Sequence, residues 1–457
     1  MGVARIASVS GLRGIVGDGL DPLIVSEFVA AYASSLPPGA IVVGNDGRLS
    51  APVFTPAVIS AVLATGHDVL DAGAVATPTL GRLVRQRQAV GGVQISASHN
   101  PPTYNGLKFF QPGGRVLTAE QGAAVLDRLN ARAFDWQPFD RLGSRWVLDD
   151  PDRDHLQAVL AIVDVERIRQ RAIPVLLDGC HGAGGRLGQS LLRALGCQVL
   201  VLGGQPDGLY DHPPEPTEEN LATVRSLVQA AGAAVGFVQD PDADRLAIID
   251  ETGRYIGEEL TLGLAVELRY SQAQGPLVLN LSTSRVSEEI ARKHGCPVWR
   301  VPVGEAHVVA RMLEESALLG GEGNGGVIDP RVGYVRDSFV AMALVLDLMV
   351  QRRQPLSRLA AELPRYGMVK RRHDLPDSAQ GVSSLLEEIA AQFPDAQIDR
   401  RDGLRLEWPE GWVHARASNT EPIVRVIAEA ASIEQANRLA DRVAPWFTIP
   451  PRGEPSS

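Results

Sequence analysis

Four short segments of this chain hold the residue types that reactive chemistry needs. Residues 96–101 read Ser-Ala-Ser-His-Asn-Pro, and Asn105, Gly106, Leu107 and Lys108 follow closely. An apolar, strand-like run leads into them, and the carboxyl end of a buried strand is where α/β sheets present reactive groups. The Ser98 hydroxyl is a weak nucleophile unless a base or acceptor stands beside it, and His99 and Lys108 are within a loop's reach. The same residues also compose an ordinary polar turn. Residues 240–245 read Asp-Pro-Asp-Ala-Asp-Arg. Carboxylates at alternate positions, Asp240, Asp242 and Asp244, can point at one centre. Hard oxygen ligands suit Mg²⁺, which keeps positions open for phosphate oxygens. An EF-hand Ca²⁺ loop would need a glycine and a closing glutamate that are missing here. A phosphatase with Asp240 as its nucleophile and a solvated acidic turn are the other readings. Three like charges this close destabilise a loop unless something neutralises them.

Residues 320–326 read Gly-Gly-Glu-Gly-Asn-Gly-Gly. Glycines let a backbone approach a ligand closely, and Glu322 and Asn324 offer an acceptor and a mixed donor/acceptor to hydroxyls. A flexible connection would look the same. The last segment is Arg416-Ala417-Ser418-Asn419-Thr420-Glu421-Pro422, with Arg425 beyond it. Two arginines flanking small hydroxyl and amide donors can hold a phosphate dianion, with arginine bidentate. A hairpin turn with surface polar residues is the plainer alternative.

These segments need elements to position them. The first third alternates helices and strands. Asp21-Pro22 supplies an N-cap and a first helical residue, and Ile24, Phe28, Ala31 and Tyr32 give that helix its apolar face. Strands are expected at 40–44, around 69–70 and at 92–96, with a helix after Ser50 and a Thr118/Gln121 capping box opening another. A charged, irregular stretch at 145–155 marks a boundary. The pattern then restarts twice, with strands at 173–178, 198–202 and 234–239, then at 276–281 and 298–301, and helices between them. No exact sequence repeat accompanies this repeated architecture. Past about residue 365, two extended runs and a helix at 433–446 suggest a small α+β domain with an antiparallel sheet. The expected class is α/β: three related units at 1–150, 151–252 and 253–365, then an α+β unit at 366–450.

Composition narrows the partners. The chain has 457 residues and a formal charge of −10, without long runs of like charge, which argues against a nucleic-acid surface. Three cysteines, Cys180, Cys197 and Cys296, make neither a disulfide framework nor a Cys-based metal site. The N-terminus has no signal-peptide pattern, and no window reaches about 18 uninterrupted apolar residues. A cytoplasmic protein that binds no membrane is expected.

In their order, the segments SASHNP with NGLK, DPDADR, GEGNGG and RASNTEPIVR closely resemble the α-D-phosphohexomutase superfamily over essentially the whole chain. SGLRG (10–14), GNDGRLS (44–50) and HPPEPTEENL (212–221) resemble further family elements. Many members carry glycines where this chain has Pro241 and Ala243. The resemblance implies four domains around a central cleft, and interconversion of hexose 1- and 6-phosphates through a bisphosphorylated sugar. It implies that Ser98 carries the phosphoryl group and that Mg²⁺ is held by Asp240, Asp242 and Asp244, with the Ser98 phosphate completing the site. Lys108 and His99 would assist proton transfer and phosphate stabilisation, with Arg13 and Arg245 near the reacting phosphate. Glu322 and Asn324 would bind sugar hydroxyls. Arg416, Ser418, Asn419, Thr420 and Arg425 would grip the non-reacting phosphate. Common bacterial relatives carry Ser at Asn324 and His at Gly326; the GEGNGG form is more similar to an archaeal-type branch. That points to glucosamine phosphate as substrate, with a broad phosphomannomutase/phosphoglucomutase as the alternative, in a monomer or homodimer.

Overall fold

The computed structural model describes residues 6–8, 11–374, 382–417 and 423–447. Strands and helices alternate into four sheets, each with its own layer of helices. The first sheet runs Ile6–Ser8, Gly11–Val16, Tyr104–Gln111, Gly91–Ile95, Ala40–Asn45, Asp68–Ala74 and Arg145–Val147 along its main path. The charged stretch expected to be irregular thus contributes an edge strand, Arg145–Val147, parallel to Asp68–Ala74. Asp21 caps the helix Pro22–Ala33 by accepting from the Leu23 and Ile24 amides, and the Thr118/Gln121 capping box forms. Phe28, Ala31 and Tyr32 of the first helix are buried against the sheet.

The second and third sheets share one topology. The second orders Gln198–Leu202, Pro174–Asp178, Val235–Gln239 and Leu246–Asp250. The third orders Val298–Val301, Leu277–Asn280, Leu319–Glu322 and Gly326–Ile328. In both, three strands are parallel and the last is antiparallel. The fourth sheet is antiparallel throughout, from Gly367–Asp374 through Ile423–Ala430, Gly411–Ala417 and Leu404–Trp408 to Gln397–Asp399. A large core joins the second and third units around the helix Ser338–Arg352, whose residues from Ser338 to Val350 are all buried. Among the described residues, no helix is long and apolar enough to cross a membrane.

One rule places every candidate segment. Each lies in the connection between two adjacent antiparallel strands. Residues 96–103 join Gly91–Ile95 to Tyr104–Gln111, 240–245 join Val235–Gln239 to Leu246–Asp250, 323–325 join Leu319–Glu322 to Gly326–Ile328, and 418–422 join Gly411–Ala417 to Ile423–Ala430.

The first of these loops is held from beneath by one arginine. Arg48 is 2% exposed, and its Nε donates to Asp46 Oδ2 at 3.0 Å. One terminal nitrogen donates to the carbonyls of Pro101 (2.8 Å) and Tyr104 (3.0 Å), the other to those of Ser98 (2.5 Å) and Asn100 (2.8 Å). The Tyr210 ring, from the second unit, covers its guanidinium at 5.5 Å. A guanidinium presents five donors in a fixed fork, so this one side chain sets the curvature of the whole turn. Removing it would strip the buried Asp46 of its counter-charge, at about 3–5 kcal/mol. Arg48→Met is expected to lower turnover about 100-fold through misplacement of the loop, and to speed amide hydrogen exchange at residues 98–104. Native exchange in that segment together with native turnover would contradict this role.

Candidate functional site

Ser98 adopts φ +52°, a left-handed conformation that costs a non-glycine residue about 1 kcal/mol. Its amide donates to Ser96 Oγ at 2.8 Å, and Ser96 Oγ donates to Asp46 Oδ2 at 2.7 Å. From this fixed turn the Ser98 hydroxyl crosses to the second unit and donates to Asp240 Oδ2 at 2.8 Å. His99 Nδ1 stands 3.4 Å from the same hydroxyl. Burial, then the nearby Arg245 and Arg13, push the His99 pKa well below its ordinary value. The ring is therefore neutral at physiological pH. Arg13 donates to the Asn100 side chain at 3.1 Å and so joins the same loop.

Asp240, Asp242 and Asp244 are fully buried, with carboxylate oxygens within 4.8 Å of one another. Ala243 makes the turn between Asp242 and Asp244 at φ +56°, a left-handed conformation that glycine adopts without strain. Each outer oxygen has a partner. Lys108 Nζ donates to Asp242 Oδ2 (2.5 Å) and Asp244 Oδ2 (2.9 Å). Thr77 Oγ1 also donates to Asp242 Oδ2, and Arg336 donates to Asp244 Oδ2 at 2.5 Å. The Arg245 amide donates to Asp240 Oδ1 at 3.1 Å. Burial would raise the Asp240 and Asp244 carboxyls. At Asp244 the pull of Arg336, Lys108 and Arg245 overrides it, and that pKa falls; at Asp240 burial and the two neighbouring aspartates win, and it rises well above the usual range.

Asp242 Oδ1 and Asp244 Oδ1 are buried without a hydrogen-bond partner, though Arg245 Nε lies 3.8 Å from the latter. Buried polar oxygens are almost always paired. Two orphaned carboxylate oxygens beside Asp240 form a hard-oxygen donor set, and these residues fit a divalent cation such as Mg²⁺.

Glu322 and Asn324 approach the same place from the third unit, where Arg336 bonds both Glu322 and Asp244. Glu322 ends its strand, and its Oε1 accepts from Asn280 Nδ2 (2.8 Å) and the Gly304 amide (3.1 Å). Asn324 Oδ1 is buried without a partner. A Cβ at Gly323 would strike the Glu259 carboxylate, and one at Gly326 would strike the Arg336 side chain. A histidine at position 326 is therefore incompatible with Arg336 as it lies here. The fourth unit contributes less that is described. Arg416 is engaged by Asp402, with Nε 3.1 Å from Oδ2, and lies opposite Arg425 across paired strands. Ser418, Asn419 and Thr420 lie outside the described residues, as does Ser10.

The motifs did not single out Arg336, Glu305 or Thr77, and Arg48 entered only within the GNDGRLS resemblance. Arg336 and Thr77 come from elements far along the chain from the carboxylates they touch. Their only sequence signal is weak: Arg336 immediately precedes Asp337, the N-cap of a buried helix, and Thr77 opens a helix with proline behind it.

Comparison with known proteins agrees with this geometry. Residues 4–136, 153–253 and 257–366 match the phosphoglucomutase/phosphomannomutase α/β/α domains I, II and III, and 375–445 match the C-terminal domain. A "Phosphoglucomutase/phosphomannomutase" of Thermococcus kodakarensis is 34% identical over 446 residues, covering 96% of this chain and 97% of that one. A protein of Methanopyrus kandleri named "Probable phosphoglucosamine mutase" is 35% identical over 444 residues, with the same coverage. A phosphoglucomutase/phosphomannomutase family protein of Burkholderia thailandensis superposes with a TM-score of 0.85 at 27% identity, over 96% of both chains. An N-acetylphosphoglucosamine mutase of Aspergillus fumigatus, solved with GlcNAc-6P and magnesium, shares the fold (TM-score 0.62, 15% identity, 98% of this chain and 97% of that one). Four domain matches in order, and relatives above 30% identity along nearly the whole chain, establish that this protein belongs to the phosphoglucomutase/phosphomannomutase family of the α-D-phosphohexomutase superfamily and is a phosphohexose mutase.

Proposed function

We propose that this mutase carries its phosphoryl group on Ser98 and acts on glucosamine phosphate, interconverting the 1- and 6-phosphates. The observation that carries the reading is the Ser98 hydroxyl 2.8 Å from Asp240, beside two orphaned aspartate oxygens. Mg²⁺ held by Asp240, Asp242 and Asp244, with the Ser98 phosphate, would supply charge neutralisation on the transferring group. Lys108 and Arg245 add fixed positive charge, and His99, neutral at physiological pH, exchanges the proton of the sugar hydroxyl. Phosphoryl transfer is mostly positioning and electrostatic stabilisation, so this arrangement answers its main demands. Glu322 and Asn324 bind sugar hydroxyls. Arg416 and Arg425, with Ser418, Asn419 and Thr420, grip the phosphate that is not reacting. The sugar turns over midway, and each end meets Ser98 in turn. The rival use of Asp240 as a phosphatase nucleophile is disfavoured because its oxygens already accept from Ser98 Oγ and the Arg245 amide.

The glucosamine assignment rests on the GEGNGG loop and on relatives named for that sugar, including the one from Methanopyrus. A broad phosphomannomutase/phosphoglucomutase is the second reading, favoured by the Thermococcus relative's name. The enzyme would work in the cytoplasm. Ser98→Ala is expected to abolish interconversion of hexose 1- and 6-phosphates; near-normal turnover would overturn the phosphoserine role. Rates on glucosamine, mannose and glucose 1-phosphates decide the substrate, and equal rates on all three would defeat the glucosamine assignment. Calorimetric titration of Mg²⁺ should show one site per chain in the native protein and at least tenfold weaker binding in Asp242→Asn. Unchanged affinity in that variant would remove the triplet as the metal site.

A further inference from the structure

Arg336 touches both the Asp triplet and the sugar loop. Its NH2 group donates to Asp244 Oδ2 at 2.5 Å, its NH1 group to Glu322 Oε2 at 2.8 Å, and its Nε to Glu305 Oε2 at 2.9 Å. Its side chain is 11% exposed, and each carboxylate it reaches is nearly or fully buried. Despite burial, Asp244, Glu322 and Glu305 hold the guanidinium firmly in its charged form. The stem passes over Gly326, where a Cβ would collide with it. The fork is thus held by three carboxylates, with its stem against Gly326. A planar guanidinium bound by three carboxylates in fixed directions cannot turn toward one without changing its bond to the others.

We propose that Arg336 is a positioning residue that couples the two halves of the site, so that cation binding at the Asp triplet and phosphosugar binding at Glu322 strengthen each other. A cation drawn to the orphaned Asp244 Oδ1 fixes the Asp244 carboxylate. The opposite oxygen of that carboxylate fixes Arg336, which in turn fixes the face that Glu322 offers to sugar hydroxyls. Linkage is reciprocal: whatever factor the cation adds to sugar affinity, the sugar adds to cation affinity. A backbone bond runs beside this path, from the Leu246 amide to the Gly325 carbonyl at 3.1 Å, so the two loops remain joined without Arg336. The side chain supplies the coupling, and the backbone supplies the register. This inference rests on the phosphosugar reading of the Glu322 loop.

The test is calorimetric titration of the full-length, dephosphorylated protein, which has no phosphoryl group to transfer, with glucose 6-phosphate at zero and saturating Mg²⁺. In the native protein Mg²⁺ should tighten glucose 6-phosphate binding by at least about fivefold, the lower end of measured coupling factors. In Arg336→Gln the factor should fall at least threefold, and Arg336→Lys, which keeps the charge but not the fork, should show the same loss. Circular dichroism and thermal unfolding of both variants check that they fold. A factor that persists in Arg336→Lys, or a native protein with no coupling, overturns the inference. Binding of neither glucose 6-phosphate nor glucosamine 6-phosphate by the native protein, with or without Mg²⁺, defeats the phosphosugar reading itself.

Discussion

Three carboxylates buried within 4.8 Å of one another are the constraint around which this molecule is organised. At an effective dielectric of 20, two such charges repel by about 4 kcal/mol. The second unit does not neutralise them alone. Lys108 arrives from the first unit and Arg336 from the third, while Thr77 of the first unit bonds Asp242. The charge that makes the site capable of holding a divalent cation also draws three α/β units onto one point. The orphaned oxygens of Asp242 and Asp244 are what remains after that internal neutralisation.

The repeated topology explains how side chains so far apart in sequence meet. In the first three units the candidate segment occupies the turn between a buried strand and its antiparallel neighbour, and in the fourth the corresponding turn is bounded by Arg416 and Arg425. The turn is short enough to be held rigidly and long enough to carry a few functional groups. Backbone conformations that cost energy appear at these turns, at Ser98 and Ala243, where the surrounding bonds over-determine them. Arg48 shows the scale of that support, with one buried guanidinium binding four carbonyls of a single loop.

Much of this was legible in the sequence because the chemistry is packed into contiguous windows. Ser98, His99 and the Asp triplet lie in short runs, and the restarting strand–helix pattern anticipates the second and third sheets. What escaped had a physical reason. The helix Ser338–Arg352 is buried on all sides and so shows no amphipathic period. The strand Gly367–Asp374 is a charged sheet edge, rich in Lys and Arg, and does not alternate as a half-buried strand would. The second and third sheets each close with an antiparallel strand, which single-strand patterns do not reveal. Arg336 stands 92 residues from Asp244, and Arg48 stands 50 from Ser98; only the folded chain makes them neighbours.

The central claim is that Ser98 hands a phosphoryl group to a sugar rather than to water. Protein labelled with ³²P at Ser98 by a hexose bisphosphate, then mixed in a single turnover with excess unlabelled hexose 6-phosphate, tests it directly. The account predicts that the label passes to the sugar as hexose bisphosphate and, once Ser98 has taken the 6-phosphoryl group in exchange, leaves the protein at the rate of turnover in hexose 1-phosphate. Label that remains on the protein, or leaves as inorganic phosphate, would contradict it.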